Sequence, residues 1–140
     1  MTPDVAIRTR LLQITALTDL VVSRIYAVTF PQGVTKPAVR VQQISREEDF
    51  HARGPIGIKA ARMQVDVVAA TKASADAVIE AVHGDGLGDT ASGLSGWMGD
   101  LGSPPFSVRG IFPLDESESY ESDELKQWRV RRDYRLVWSE

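Results

Sequence analysis

KAARMQVDVVAAT, residues 59–71, decides the fold. Met63, Val65, Val67 and Ala69 alternate with Arg62, Gln64, Asp66 and Val68, so a strand here has one apolar face and one mostly wet face. Such a strand belongs to an antiparallel sheet that is covered on one side only. The chain after Thr71 supplies cover. Ala75, Val78, Ile79 and Val82 fall at i, i+3, i+4 and i+7, a helical stripe, and Gly84 stands where a glycine just past a helix end belongs.

Working upstream, AVRVQQIS sets Val39 and Val41 on one side of a strand and Arg40 and Gln42 on the other. The charged stretch REEDFHARGPIG, with its Gly and Pro, separates this strand from the next, and FPQGVTKP reads as a loop. A short strand is expected near Arg24 to Ala27. The chain opens with a helix over roughly residues 3 to 16: Thr2 caps, Pro3 suits the first helical position, Asp4 favours the positive end of the dipole, and Ile7, Leu11 and Ile14 form the stripe. Arg8 and Arg10 point away from that stripe.

Downstream, FSVRGIFP alternates weakly. In WRVRRDYRLVW, Trp128, Val130, Tyr134, Leu136 and Trp138 share one face with Arg132 as the exception, while Arg129, Arg131, Asp133 and Arg135 share the other. Strands and helices do not alternate strictly. The expected architecture is therefore α+β: a mainly antiparallel sheet of four to five strands with two helices packed on one face, in one domain over residues 1–140.

Composition bounds what such a domain does. A chain of 140 residues with 43% hydrophobic residues supports one core, and a formal net charge of −3 gives no general attraction to nucleic acid or anionic lipid. The absence of cysteine excludes disulfides, thiolate metal sites and cysteine nucleophiles, and it suits a reducing compartment. No uncharged apolar run reaches the length of a membrane span, and the first residues lack a signal-peptide core, so synthesis and folding in the cytosol are expected, without membrane contact.

Catalytic chemistry finds no foothold. His51 and His83 are the only histidines and lack zinc-ligand spacing. GDGLGD follows a helix instead of a strand, unlike a phosphate-cradling loop, and GLSGW carries Trp97 where a nucleophile elbow requires glycine. No nucleophile, base and orienter assemble, so the expectation is a protein that is not an enzyme and has no cofactor or metal. No groove-reading motif for DNA is present either.

Two segments stand out. GDGLGDTASGLSGWMGDLGSPP, residues 84–105, holds seven of the eleven glycines together with Leu94, Trp97, Met98 and Leu101. Either Trp97 plugs the edge of the core, or Trp97, Met98 and Leu101 form a surface that orders on a partner. DESESYESDE, residues 115–124, places six carboxylates at the tip of a hairpin, ahead of the basic face of the last strand. Such a tip projects into solvent, or meets a basic surface across a subunit boundary, or lines a channel. The spacing is not that of a calcium loop.

The ordered series RIYAVTFPQGVTKPAVRVQQIS, GPIGIKAARMQVDVVAATKASADAVIEAV, VRGIFPLDESESYE and WRVRRDYRLVW resembles the tail completion, or tail terminator, proteins of long-tailed phages and gene-transfer particles. It departs from them at Val68, where an aromatic is common, and in the length of the stretch from Gly84 to Pro105. The resemblance implies a structural virion protein, assembled in the bacterial host cytoplasm, that closes into a homo-oligomeric ring at the head-proximal end of the tail tube. Its partners would be further copies of itself, about six in all, the tail tube protein and the head connector or stopper protein, with DNA passing through non-specifically. Glu118, Glu121 and Asp123 on one side and Arg129, Arg131 and Arg135 on the other would then be complementary interface patches. The competing reading is a small-molecule-binding or adaptor domain with the same order of elements.

Overall fold

The computed structural model describes residues 1–51, 54–86, 91–121 and 127–139, without the side chains of 47–51, 54–56 and 121. Helices α1 (Pro3–Leu12) and α2 (Thr15–Val21) lead into strands β1 (Ile25–Ala27), β2 (Ala38–His51) and β3 (Gly54–Ala69). Helix α3 (Lys72–His83) follows, then β4 (Gly99–Leu101), β5 (Phe106–Glu121) and β6 (Gln127–Ser139). The strands form one sheet in the order β1-β2-β3-β6-β5-β4, antiparallel except for the β1–β2 pair.

The α+β class and the antiparallel bias are those expected, but the described residues form three helices and six strands instead of two and four to five. The extra helix arises because the first helix stops at Leu12, and Ile14, with φ −85° and ψ 102°, turns the chain into α2. That turn lets Ile14 and Leu17 both reach the core. The extra strand is β4, three residues inside the glycine-rich stretch, too short for any alternation to register.

Most of REEDFHARGPIG does not separate the strands but belongs to them: β2 runs to His51 and β3 starts at Gly54, and the two remain paired to His51↔Gly54. Charge lowers strand propensity in this stretch, but the two strands pair along most of its described residues, with a register shift between Glu48 and Phe50.

The core forms on the helix side of the sheet. Met63, Val65, Val67 and Ala69 are all buried there, with Val39, Val41, Val130, Leu136 and Trp138 beside them. Phe106 stacks on Trp138 with ring centres 5.3 Å apart. Ala75, Val78, Ile79 and Val82 of α3 close the cluster as their spacing predicts. Thr71 caps α3 by accepting a hydrogen bond from the Ser74 backbone N–H.

At the other end of α3 the glycine-rich stretch folds back against the helix. Leu94 and Ser95 donate backbone hydrogen bonds to the Val82 and His83 carbonyls, satisfying groups that a helix terminus otherwise leaves open. The approach is so close that a Cβ on Gly93 would lie 2.6 Å from the Val82 carbonyl oxygen. Asp85 and Ser92 tie the two arms with reciprocal side-chain to backbone bonds of 3.1 Å.

Candidate functional site

The face of the sheet turned away from the helices carries the charge. Arg40, Asp66 and Arg131 are register partners on β2, β3 and β6, and Arg129 is one pair along. Asp66 is only 1% exposed, in a position that alternation assigns to solvent. Its Oδ2 accepts hydrogen bonds from Arg40 and from Arg129 Nη1, and Arg131 Nε lies 3.2 Å from Oδ1 in an ion contact that makes no hydrogen bond. Three guanidinium groups around one buried carboxylate tie three adjacent strands together. Phe30 lies over Arg40, with the guanidinium carbon 5.6 Å from the ring centre.

A second cluster lies one row along. Arg62 donates to Asp133 through Nε at 2.8 Å and to Asp115 through Nη2 at 2.9 Å. Both carboxylates favour its charged form, Asp133 foremost. Beside it, Ser45, Ala60, Ala61, Arg62, Leu114 and Arg135 line an open depression of about 270 Å³. Among the described residues no three of His, Asp and Glu converge as a metal site would require.

The acidic run is mostly strand, not tip. Asp115 to Glu121 belong to β5, and from Glu116 onward they pair along β6, Glu116 opposite Arg132, Glu118 opposite Val130 and Glu121 opposite Gln127. Part of its charge is met within the chain: Arg132 lies 3.8 Å from Glu116 and Lys72 lies 3.6 Å from Glu118. These pairs are partly exposed and contribute little to stability. Residues 112–120 are exposed throughout, including Phe112, Leu114 and Tyr120. A long, open, charged strand beside a basic sheet face offers an extended exposed surface among the described residues.

The model of the family tail completion protein gp17 matches residues 5–137. The chain belongs to this tail completion family. No curated protein sequence matches it. Among solved structures, a chain from the virion of a native gene transfer agent (GTA) particle is similar, with a TM-score of 0.54 and 16% identity over 90% of this chain and 86% of that chain. At that identity the likeness is one of fold.

For this tail completion family member, the residues singled out in the sequence fall into separate places. Trp97 and Leu101 are buried in the core cluster, while Met98 beside them is 45% exposed. Arg129 and Arg131 belong to the Asp66 cluster, and Arg135 is exposed near the depression. Glu118 faces the helix side of β5; the Glu121 side chain and all of Asp123 lie outside the described residues. Arg10 does not point away into solvent: it donates to the Ala91 and Gly93 carbonyls and lies over the Trp97 ring, 4.5 Å from its centre. The sequence places Arg62 and Asp66 only on the wet face of their strand and gives Phe112 no role, because their partners depend on which strands lie side by side.

His83, at the end of α3, lies 3.2 Å from the Tyr134 hydroxyl through Nδ1. Burial, and then the Arg132 charge, lower its pKa from the ordinary 6.5, against weaker opposite effects of Glu80 and Glu116. A histidine with a lowered folded pKa binds its proton later than the unfolded chain does, so its contribution is full above about pH 6.5 and is lost as pH falls from there through the folded pKa. His83→Gln is expected to reduce the drop in Tm between about pH 7.5 and about pH 5. An unchanged drop, measured by thermal unfolding, would show that other groups carry it.

Proposed function

We propose that this protein ends the tail: copies close into a ring at the head-proximal end of the tail tube, stop its polymerisation, and present a surface to the head connector or stopper protein while DNA passes through. The observation that carries this reading is the family match across residues 5–137. The shared fold with a gene transfer agent virion chain supports it. The role asks for surfaces instead of catalytic groups, and the exposed β5 strand and the basic sheet face are such surfaces. The site of action is the virion tail, with assembly in the bacterial host cytoplasm.

A ring joins two different patches of one subunit head to tail. Glu118, Glu121 and Asp123 on one patch and Arg129, Arg131 and Arg135 on the other supply opposite charge, which sets register and association rate more than affinity. Trp97 and Leu101, proposed from the sequence as partner contacts, are replaced in that part by Met98, the exposed member of the three.

Replacing Glu118, Glu121 and Asp123 with Gln, Gln and Asn is expected to weaken ring assembly and to flatten its dependence on ionic strength. Sedimentation of assembled tail ends at low and high salt measures this. Equal assembly of variant and parent at both salt concentrations would remove the charged patches from the account. Reconstruction of particles by electron microscopy tests the ring itself: a closed collar of copies is expected between tube and connector, and density for a single copy would overturn it.

A further inference from the structure

The depression on the open sheet face has a composition that the ring alone does not explain. Ser45, Arg62, Arg135 and Phe112 are register partners in one row across β2, β3, β6 and β5. The adjacent row holds Ala60, Val137 and Gly110; the small side chain of Ala60 lets the surface dip at β3, while the Phe112 ring lies over Gly110, where a Cβ would come within 2.8 Å of it. Leu114 leans over the same hollow from a bulge in β5, between Pro113 and Glu116. Phe112 and Leu114 are 52% and 46% exposed. Arg135 is exposed and makes no ion pair among the described residues. The hollow thus joins the apolar Ala60 and Leu114 to the exposed Arg135 guanidinium, which suits a segment carrying an aromatic ring next to a carboxylate.

The chain contains such a segment. Tyr120 is 48% exposed, and Glu118, two residues earlier, lies on the same side of β5. Their own copy cannot deliver them. Tyr120 is level with Trp128 on β6 and the hollow is level with Arg135, a separation of seven residues, or about 24 Å along the strand. Tyr120 and Glu118 also face the helix side, where Glu118 meets Lys72, whereas the hollow opens on the other face. The donor and acceptor surfaces are therefore different patches that only separate copies can bring together, which is the geometry of a head-to-tail contact.

We infer that the β5–β6 hairpin of one copy seats Tyr120 in the hollow of the next, between Leu114 and Ala60, with Glu118 paired to Arg135. This rests on the ring reading above and specifies its contact. The aromatic ring supplies buried apolar area at the centre, and the carboxylate and guanidinium fix the register around it. Glu118 exchanges a long contact with Lys72 for one with a cation that makes no ion pair among the described residues.

Because the chain has no cysteine, Leu114→Cys and Tyr120→Cys can be introduced together and particles carrying the variant treated with a short bis-maleimide. A covalent ladder of dimers and higher species is expected from the double variant, and none from either single one. Collars of normal appearance that yield no ladder would overturn the seating and leave the ring standing; tails carrying a single copy would overturn the ring reading and the seating with it. A charge exchange decides the matter independently should the cysteine variants not fold. Arg135→Glu alone and Glu118→Arg alone are expected to lose incorporation into tails, and the two combined to regain it. A combined variant that is soluble, yet no better incorporated than the single ones, would overturn the pairing.

Discussion

Asp66→Asn is expected to destabilise the protein by about 3 kcal/mol, a fall in Tm of roughly 10–15 °C. The substitution keeps the volume and removes the charge. Asp66 is 1% exposed, and the side chains of Arg40, Arg129 and Arg131 around it are 19%, 14% and 45% exposed. Without the carboxylate, three like charges converge on one buried point and the Arg40 and Arg129 hydrogen bonds lose their ionic acceptor. Loss of one partner from a buried ion cluster costs about 3–5 kcal/mol in general, and the partial solvation of the arginines sets this case at the low end. Thermal unfolding of parent and variant measures the difference. A Tm within about 2 °C of the parent would mean that the arginines relax into solvent and that the cluster does not hold the strands together.

Trp97→Ala is expected to cost about 3–5 kcal/mol. The ring is 8% exposed, is covered on one side by the Arg10 guanidinium and is passed so closely by Gly99 that a Cβ there would lie 2.6 Å from it. Truncation leaves a cavity beneath a stretch rich in glycine, and it removes the surface against which Arg10 holds the Ala91 and Gly93 carbonyls. Met98→Ala, one residue along and exposed, is expected to change stability by less than about 0.5 kcal/mol. Chemical denaturation of the two variants separates the readings of this stretch. A Trp97→Ala protein as stable as the parent but unable to join tails would make Trp97 a docking residue instead of a core one.

These two side chains also mark what the sequence tells and what it withholds. The alternation of Met63, Val65, Val67 and Ala69 and the stripe of Ala75, Val78, Ile79 and Val82 are local patterns, and local patterns survive into the fold. Asp66 sits among the residues that alternation assigns to water, and it is buried because two neighbouring strands bring arginines over it, a fact about sheet order that no window of one strand contains. Arg10 follows the helical periodicity outward, yet its length carries it to carbonyls more than eighty residues along the chain. The break at Ile14 escaped notice because the apolar spacing runs through it.

The candidate surfaces divide in the same way. The basic alternation of Arg129, Arg131 and Arg135 was legible because it repeats every two residues. Leu114 and Arg62 were not, since a hollow assembled from four strands has no signature in any one of them. The strands flanking the acidic run suggest a hairpin tip, whereas the register with β6 places Glu116 against Arg132 and lets much of the run pair.

The central claim, that this chain ends the tail tube, is tested most directly by electron microscopy of particles produced with its gene deleted. Overlong tails of variable length, or finished tails beside unattached DNA-filled heads, are the result expected. Joined particles with tails of normal length would contradict the claim.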